Sequence, residues 1–117
     1  MGKLTTHILD TAHGKPGAHI AITLYRFEGG DRVKLGDFRS NNDGRCDSPL
    51  LADGAFTVGT YELDFAVGEY FASHDIDLPS PRFLDIVTLR FGIADADAHY
   101  HVPLLVSPYA YGTYRGS

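Results

Sequence analysis

The sequence predicts an all-β protein, an antiparallel sandwich of seven to eight short strands with one short helix. Three observations point there. Apolar residues recur with a period of two, not the helical period of about 3.6, along most of the chain. Clusters of Gly, Pro, Asn and Asp break the alternating runs at short intervals. At 117 residues and 12.8 kDa the chain has the size of one domain, residues 1–117.

The first candidate strand is LTTHIL, residues 4–9, closed by a turn at Gly14, Pro16 and Gly17. In HIAITLYRF, Ile20, Ile22 and Leu24 alternate with Ala21, Thr23 and Tyr25, the mark of a strand with one wet face. Gly29-Gly30 predicts a hairpin turn into the next strand, VKLGDF. Asn41-Asn42-Asp43-Gly44 is a strong turn cluster. In TYELDFAV, Tyr61, Leu63, Phe65 and Val67 form the inner face, and in IVTLRFGI it is Val87, Leu89, Phe91 and Ile93. Between these two runs only GEYFASH, Gly68 to His74, suits a short helix; Ser80-Pro81 closes the irregular stretch that follows. HYHVPLLV and the aromatic run YAYGTY supply the last strands.

Composition narrows the function classes. A hydrophobic fraction of 44% with 21% charged residues reads as soluble and globular. A net charge of −5 and a pI near 5.5 oppose nucleic-acid binding through a basic surface. Acidic residues crowd the segment from Thr60 to Asp97, where only Arg82 and Arg90 oppose them, so any bound anion must be gripped elsewhere. The single cysteine, Cys46, excludes an intrachain disulfide and a Cys-based zinc site, and fits a reducing compartment. No apolar run approaches the ~18 residues of a membrane span, and MGKLTTHILD lacks the apolar stretch of a signal peptide. Met1-Gly2 with Thr6 matches the loose N-myristoylation pattern, but Leu4 to Leu9 reads as a buried strand. The expected location is cytoplasmic, with no membrane partner. A core this small is filled by its own side chains, so a deep site is expected on a face or between subunits.

The nucleophile-elbow and P-loop signatures are absent. Cys46 follows Arg45, a neighbour that lowers thiol pKa values, yet its position also suits a small residue after a tight turn. Six histidines are more informative. His13 beside Gly14 and His74 beside Asp75 read as loop residues. His99 and His101 are two apart on a strand and so share a side, opposite the apolar Tyr100, Val102, Leu104 and Val106. His7 lies within LTTHIL, on another formed strand. Three readings stand for these histidines: polar residues on a wet sheet face, general acid–base groups, or zinc ligands with His7 beside the His99/His101 pair. Arg45, just after the turn, offers a planar fork to a carboxylate or an enolate-like oxygen, or is a solvated charge. The end of the chain carries Tyr109, Tyr111 and Tyr114 in a strand-like run. A docked tail places the Tyr114 hydroxyl and the Ser117 carboxylate where they can hydrogen-bond a ligand; the plainer reading is that the tyrosines complete an edge strand.

THILDTAHGKPG near the start, NNDGRC in the middle and HYHVPLLVSPYAYGTYRGS at the end together resemble the transthyretin-like 5-hydroxyisourate hydrolases. The resemblance covers most of the chain in the same order and spacing. Its most specific element is the terminal YRGS, which marks the enzymes and is absent from hormone-carrying transthyretins; Gly68 to Arg82 carries no signature. The resemblance implies a transthyretin-like (prealbumin-like) sandwich of two four-stranded sheets, assembled as a homotetramer, a dimer of dimers. It implies hydrolysis of 5-hydroxyisourate, a purine-derived product of urate oxidation, to 2-oxo-4-hydroxy-4-carboxy-5-ureidoimidazoline, with no cofactor and no metal. By motif it assigns His7, Arg45 and His101 to catalysis, and His7, Arg45, Tyr114 and Ser117 to substrate binding. His7 or His101 activates the water; the role of His99 stays open. The alternative from another class is a non-catalytic transthyretin-like protein that binds a small ligand in an inter-subunit channel.

Overall fold

The computed structural model describes residues 2–74 and 76–116. Two sheets face each other across the core. One holds four strands in the order β4-β3-β6-β7: β3 Ala21–Glu28, β4 Asp31–Arg39, β6 Gly59–Ala66 and β7 Ile86–Ile93. The other is built on β1 Lys3–Asp10 and β8 His99–Val106. It is extended by β9 Tyr111–Thr113 on one side and by the two-residue strands β2 Lys15–Pro16 and β5 Leu51–Ala52 on the other. The helix α1 spans Val67–Ala72, one residue earlier at its start than the sequence pattern places it and two shorter at its end. A single 3₁₀ turn covers Asp53–Ala55. Among the described residues no helix is long and apolar enough to cross a membrane.

The alternation decides what is buried. Ile20, Ile22 and Leu24, Tyr61, Leu63, Phe65 and Val67, and Val87, Leu89 and Ile93 all turn into the core. From the opposite sheet come Leu4, Ile8, Tyr100, Val102, Leu104 and Val106. The Gly29-Gly30 turn takes φ of 61° and 89°, the left-handed pair that a tight hairpin requires.

One pairing departs from the antiparallel pattern: β1 and β8 run parallel, over the full register Lys3↔His99 to Asp10↔Val106. Parallel neighbours need a long crossover, and here everything between the two strands, including the whole opposite sheet, serves as that connection. The strands β2 and β5 are too short to show a period, which is why the sequence pattern reads them as loop.

Two polar residues on the inward face of β1 are fully bonded. The Thr6 hydroxyl donates to the Val102 carbonyl at 2.7 Å. The Asp10 carboxylate, 1% exposed, accepts from the Ala12 and His13 amides at 3.0 Å and lies 2.6 Å from both the Tyr70 hydroxyl and His13 Nδ1. Burial pushes the Asp10 carboxyl up, but the bonds from Tyr70 and His13 outweigh it and hold it below the usual carboxylate range. His13 and His74 are therefore more than loop polarity: the His74 ring packs 4.2 Å from the Tyr70 ring, so they tie α1 to the end of β1.

Candidate active site

Because β1 and β8 pair in parallel, their odd-numbered residues stand side by side on the outer face of the sheet, away from the core. Thr5 is paired with His101, and His7 lies one step further along β1, opposite Pro103. Thr5 Oγ1 sits between two imidazoles, 2.9 Å from His99 Nε2 and 2.8 Å from His101 Nδ1.

The turn after β4 brings in the arginine. The Asn41 side-chain oxygen accepts from the Asp43 and Arg45 amides at 2.9 and 3.1 Å, closing the loop on itself. Gly44, at φ 76°, accepts on its carbonyl oxygen from the Ile8 amide at 2.8 Å, and a Cβ there would lie 2.4 Å from the Ile8 carbonyl oxygen. This close approach lets Arg45 pair with His7 as an antiparallel bridge.

The chain's end forms the opposite border. Beyond β9, which pairs with Leu104–Val106, Gly116 bridges to His101, its amide donating to the His101 carbonyl at 2.7 Å. Thr113 donates to the Pro103 carbonyl at 2.6 Å. Arg115 donates to the His99 carbonyl at 3.3 Å and lays its guanidinium over the Tyr100 ring at 4.0 Å.

Between these borders lies a groove of about 270 Å³ lined by Thr5, Arg45, Cys46, Ser48, His99 and His101. Burial lowers the His7 imidazole below its ordinary pKa and Arg45 lowers it further, partly offset by Asp43. Burial, then the charges of Arg45, His7 and His99, lower His101. Both rings are thus held neutral near pH 7, the form that accepts a proton. Burial, with a smaller push from Asp47, raises the Cys46 thiol, which opposes a thiolate nucleophile.

The structure thus brings together His7, Arg45 and His101, whose positions in the sequence are far apart. Tyr114 is not brought into the groove of its own chain: it is 60% exposed. The tail lies against its own sheet through its backbone, Thr113 and Arg115, while the side chains of Tyr109, Tyr111 and Tyr114 are exposed. Ser117 lies outside the described residues. Among the described residues no three His, Cys, Asp or Glu side chains converge as metal ligands, and the His99 and His101 rings both turn a nitrogen to Thr5 Oγ1. Thr5 is the site residue that sequence reasoning passed over. The signal was present, because the alternation in LTTHIL puts it on the same side as His7.

Known proteins resemble this chain in sequence and in fold. The model of the HIUase/Transthyretin family matches residues 4–116. A 5-hydroxyisourate hydrolase of Ralstonia nicotianae is 60% identical over 117 residues, covering all of both chains. The structure of Klebsiella pneumoniae 5-hydroxyisourate hydrolase superposes with a TM-score of 0.82 at 31% identity, covering 100% of each chain. A structure of (S)-allantoin synthase superposes with a TM-score of 0.94 at 49% identity; the match covers 99% of this chain and 44% of that one.

Proposed function

The chain belongs to the HIUase/transthyretin family, and from that premise we propose that it works through the β1–β8 groove, with His7, Arg45 and His101 acting on the substrate. The protein is an enzyme that hydrolyses 5-hydroxyisourate, and the product we infer is 2-oxo-4-hydroxy-4-carboxy-5-ureidoimidazoline. The observation that carries the site assignment is geometric: Arg45 is bridged to His7 and lines one groove with His101, where its charge helps to lower both imidazoles.

The chemistry follows from that arrangement. Water adds to the lactam carbonyl, the ring C–N bond breaks, and the ring nitrogen receives a proton. One of the two histidines takes the proton from the attacking water and so turns a poor nucleophile into a good one. Arg45 holds the anionic, purine-derived ring and stabilises the negative charge that builds on the carbonyl oxygen. Holding water and ring in register supplies much of the remaining acceleration, with no covalent intermediate. The polar side chains in the groove favour this chemistry over carriage of a small ligand in an apolar channel, for which no charged residue is needed.

The groove of one chain is open, and the tyrosines that would close it face outward. The reading that accounts for both is a homotetramer, a dimer of dimers, in which the tail of a neighbour brings Tyr114 and Ser117 to the substrate. The cytoplasm is the compartment that fits the single, free Cys46.

The test is the decay of freshly generated 5-hydroxyisourate, followed by ultraviolet absorbance, with wild type, His7→Asn and His101→Asn. Loss of acceleration in either variant supports the assignment; near-wild-type turnover in both overturns it.

A further inference from the structure

We propose that Thr5 and His99 are positioning residues that fix the tautomer of His101, a chain in which the Thr5 hydroxyl donates a hydrogen bond to His99 Nε2 and accepts one from His101 Nδ1–H, leaving His101 Nε2 bare toward the groove. The inference rests on the reading that His101 acts as the base.

A hydroxyl carries one proton and two lone pairs. Thr5 Oγ1 has two imidazole nitrogens within hydrogen-bond distance, at 2.9 and 2.8 Å, and can donate to only one of them. The direction of that single proton sets the state of both rings. If Thr5 donates to His101 Nδ1, the neutral His101 ring carries its proton on Nε2, and the nitrogen free to take a proton from water is lost. If Thr5 donates to His99 Nε2, it accepts from His101 Nδ1–H, and Nε2 is the basic nitrogen. Either His101 or His99 must therefore supply the acceptor for Thr5, and the second arrangement is the one that leaves a base in the groove. The orienting role of a third group on a catalytic imidazole is the same physics that fixes the histidine in hydrolytic triads, performed here by a neutral hydroxyl instead of a carboxylate.

The fold makes the arrangement rigid. Thr5 is paired across the parallel strands with His101, and the Lys3↔His99 pairing brings His99 to the other side of the same hydroxyl. The backbones of both histidines are held in turn by the tail, through Arg115 on the His99 carbonyl and Gly116 on the His101 carbonyl. The Thr5 methyl and hydroxyl are held with them, on the β-branched side chain whose χ1 is stiff in a strand.

The experiment combines ring ¹⁵N NMR on the labelled, assembled protein with steady-state kinetics on Thr5→Val, Thr5→Ser and His99→Phe. In the wild type, neutral His101 is expected to show Nδ1–H and a bare Nε2. Thr5→Val and His99→Phe are expected to move it toward Nε2–H and to lower kcat by about tenfold or more with KM within about twofold, as befits impairment of a base. Thr5→Ser, which keeps the hydroxyl, is expected to stay within about threefold of wild type, a rescue that a packing role for the side chain would not give. A wild-type His101 already in the Nε2–H form overturns the inference, as does Thr5→Val with unchanged kcat while His101→Asn is inactive. Near-wild-type turnover in His101→Asn instead overturns the reading of His101 as base, and the tautomer spectrum then stands apart from catalysis.

Discussion

Gly116 donates its amide proton to the His101 carbonyl at 2.7 Å, so the tail of the chain is bonded to the strand residue that carries a site histidine. A side chain at this place is crowded. A Cβ on Gly116 would lie 3.0 Å from His101 Cδ2 and 3.2 Å from its Cβ.

Gly116→Ala is therefore expected to displace either the imidazole or the tail. Turnover of 5-hydroxyisourate should fall about tenfold to a hundredfold, since small misplacements at a reacting centre are costly. The melting temperature should hardly move, because the tail contributes little core. A bulky C-terminal fusion is expected to do the same. Unchanged kcat/KM in both would separate the tail from the site.

His7→Asn and His101→Asn keep a polar group but cannot take a proton. The variant that loses the base should drop by about a hundredfold to ten-thousandfold in kcat. The other should show its effect chiefly in KM. Steady-state kinetics on the two variants thus tells the base from the positioning histidine.

The pH profile has a definite sign. Both histidines are lowered by burial and by Arg45, so kcat/KM should hold as the pH falls past the ordinary histidine value of about 6.5 and decline only below it. Arg45→Gln removes a positive charge, makes protonation easier and should carry the acid limb of the residual activity to higher pH. An acid limb that stays in place under Arg45→Gln would contradict the effect of Arg45 on both rings.

Asp10 gives a stability prediction. Asp10→Asn leaves a buried group facing Tyr70 and His13 with one acceptor too few and should cost about 2–4 kcal/mol in chemical denaturation. In the folded protein the Asp10 carboxyl is held below its unfolded value near 4. Its contribution is whole above that pH and drains away as the pH falls through it toward the folded value. The variant should therefore lack that part of the wild type's acid sensitivity.

Gly44→Ala tests the turn. The substitution meets the Ile8 carbonyl at 2.4 Å on a backbone already in the left-handed region, and is expected to cost about 1–3 kcal/mol while pulling Arg45 away from His7. Loss of substrate affinity together with lowered stability is the expected pattern; a stable variant with normal KM would show that Arg45 finds its place without the clamp.

Much of this was legible in the residues alone. Strict alternation marks the inner faces of β3, β6, β7 and β8, and burial follows it at Ile22, Leu63, Val87 and Val102. The same alternation places His99 and His101 together. The sheet partners were not legible, because the Thr5–His101 contact spans 96 positions and nothing local specifies a partner that distant. For that reason the parallel pairing of β1 with β8, and with it Thr5 between two imidazoles, emerges only in three dimensions. The tyrosines of the tail misled in a simpler way. Their spacing matches a strand, but β9 docks through its backbone and Thr113, leaving the Tyr111 and Tyr114 rings outward.

The parallel pairing of the first long strand with one near the far end of the chain also sets an order of events during synthesis. β1 leaves the ribosome early and then waits, its core face unpartnered, while the opposite sheet closes through local hairpins. Contacts of such long sequence separation are the slow ones in folding. The groove therefore cannot form on a nascent chain until β8 has emerged, and a ribosome stalled before β8 carries a strand edge open to any other strand that meets it.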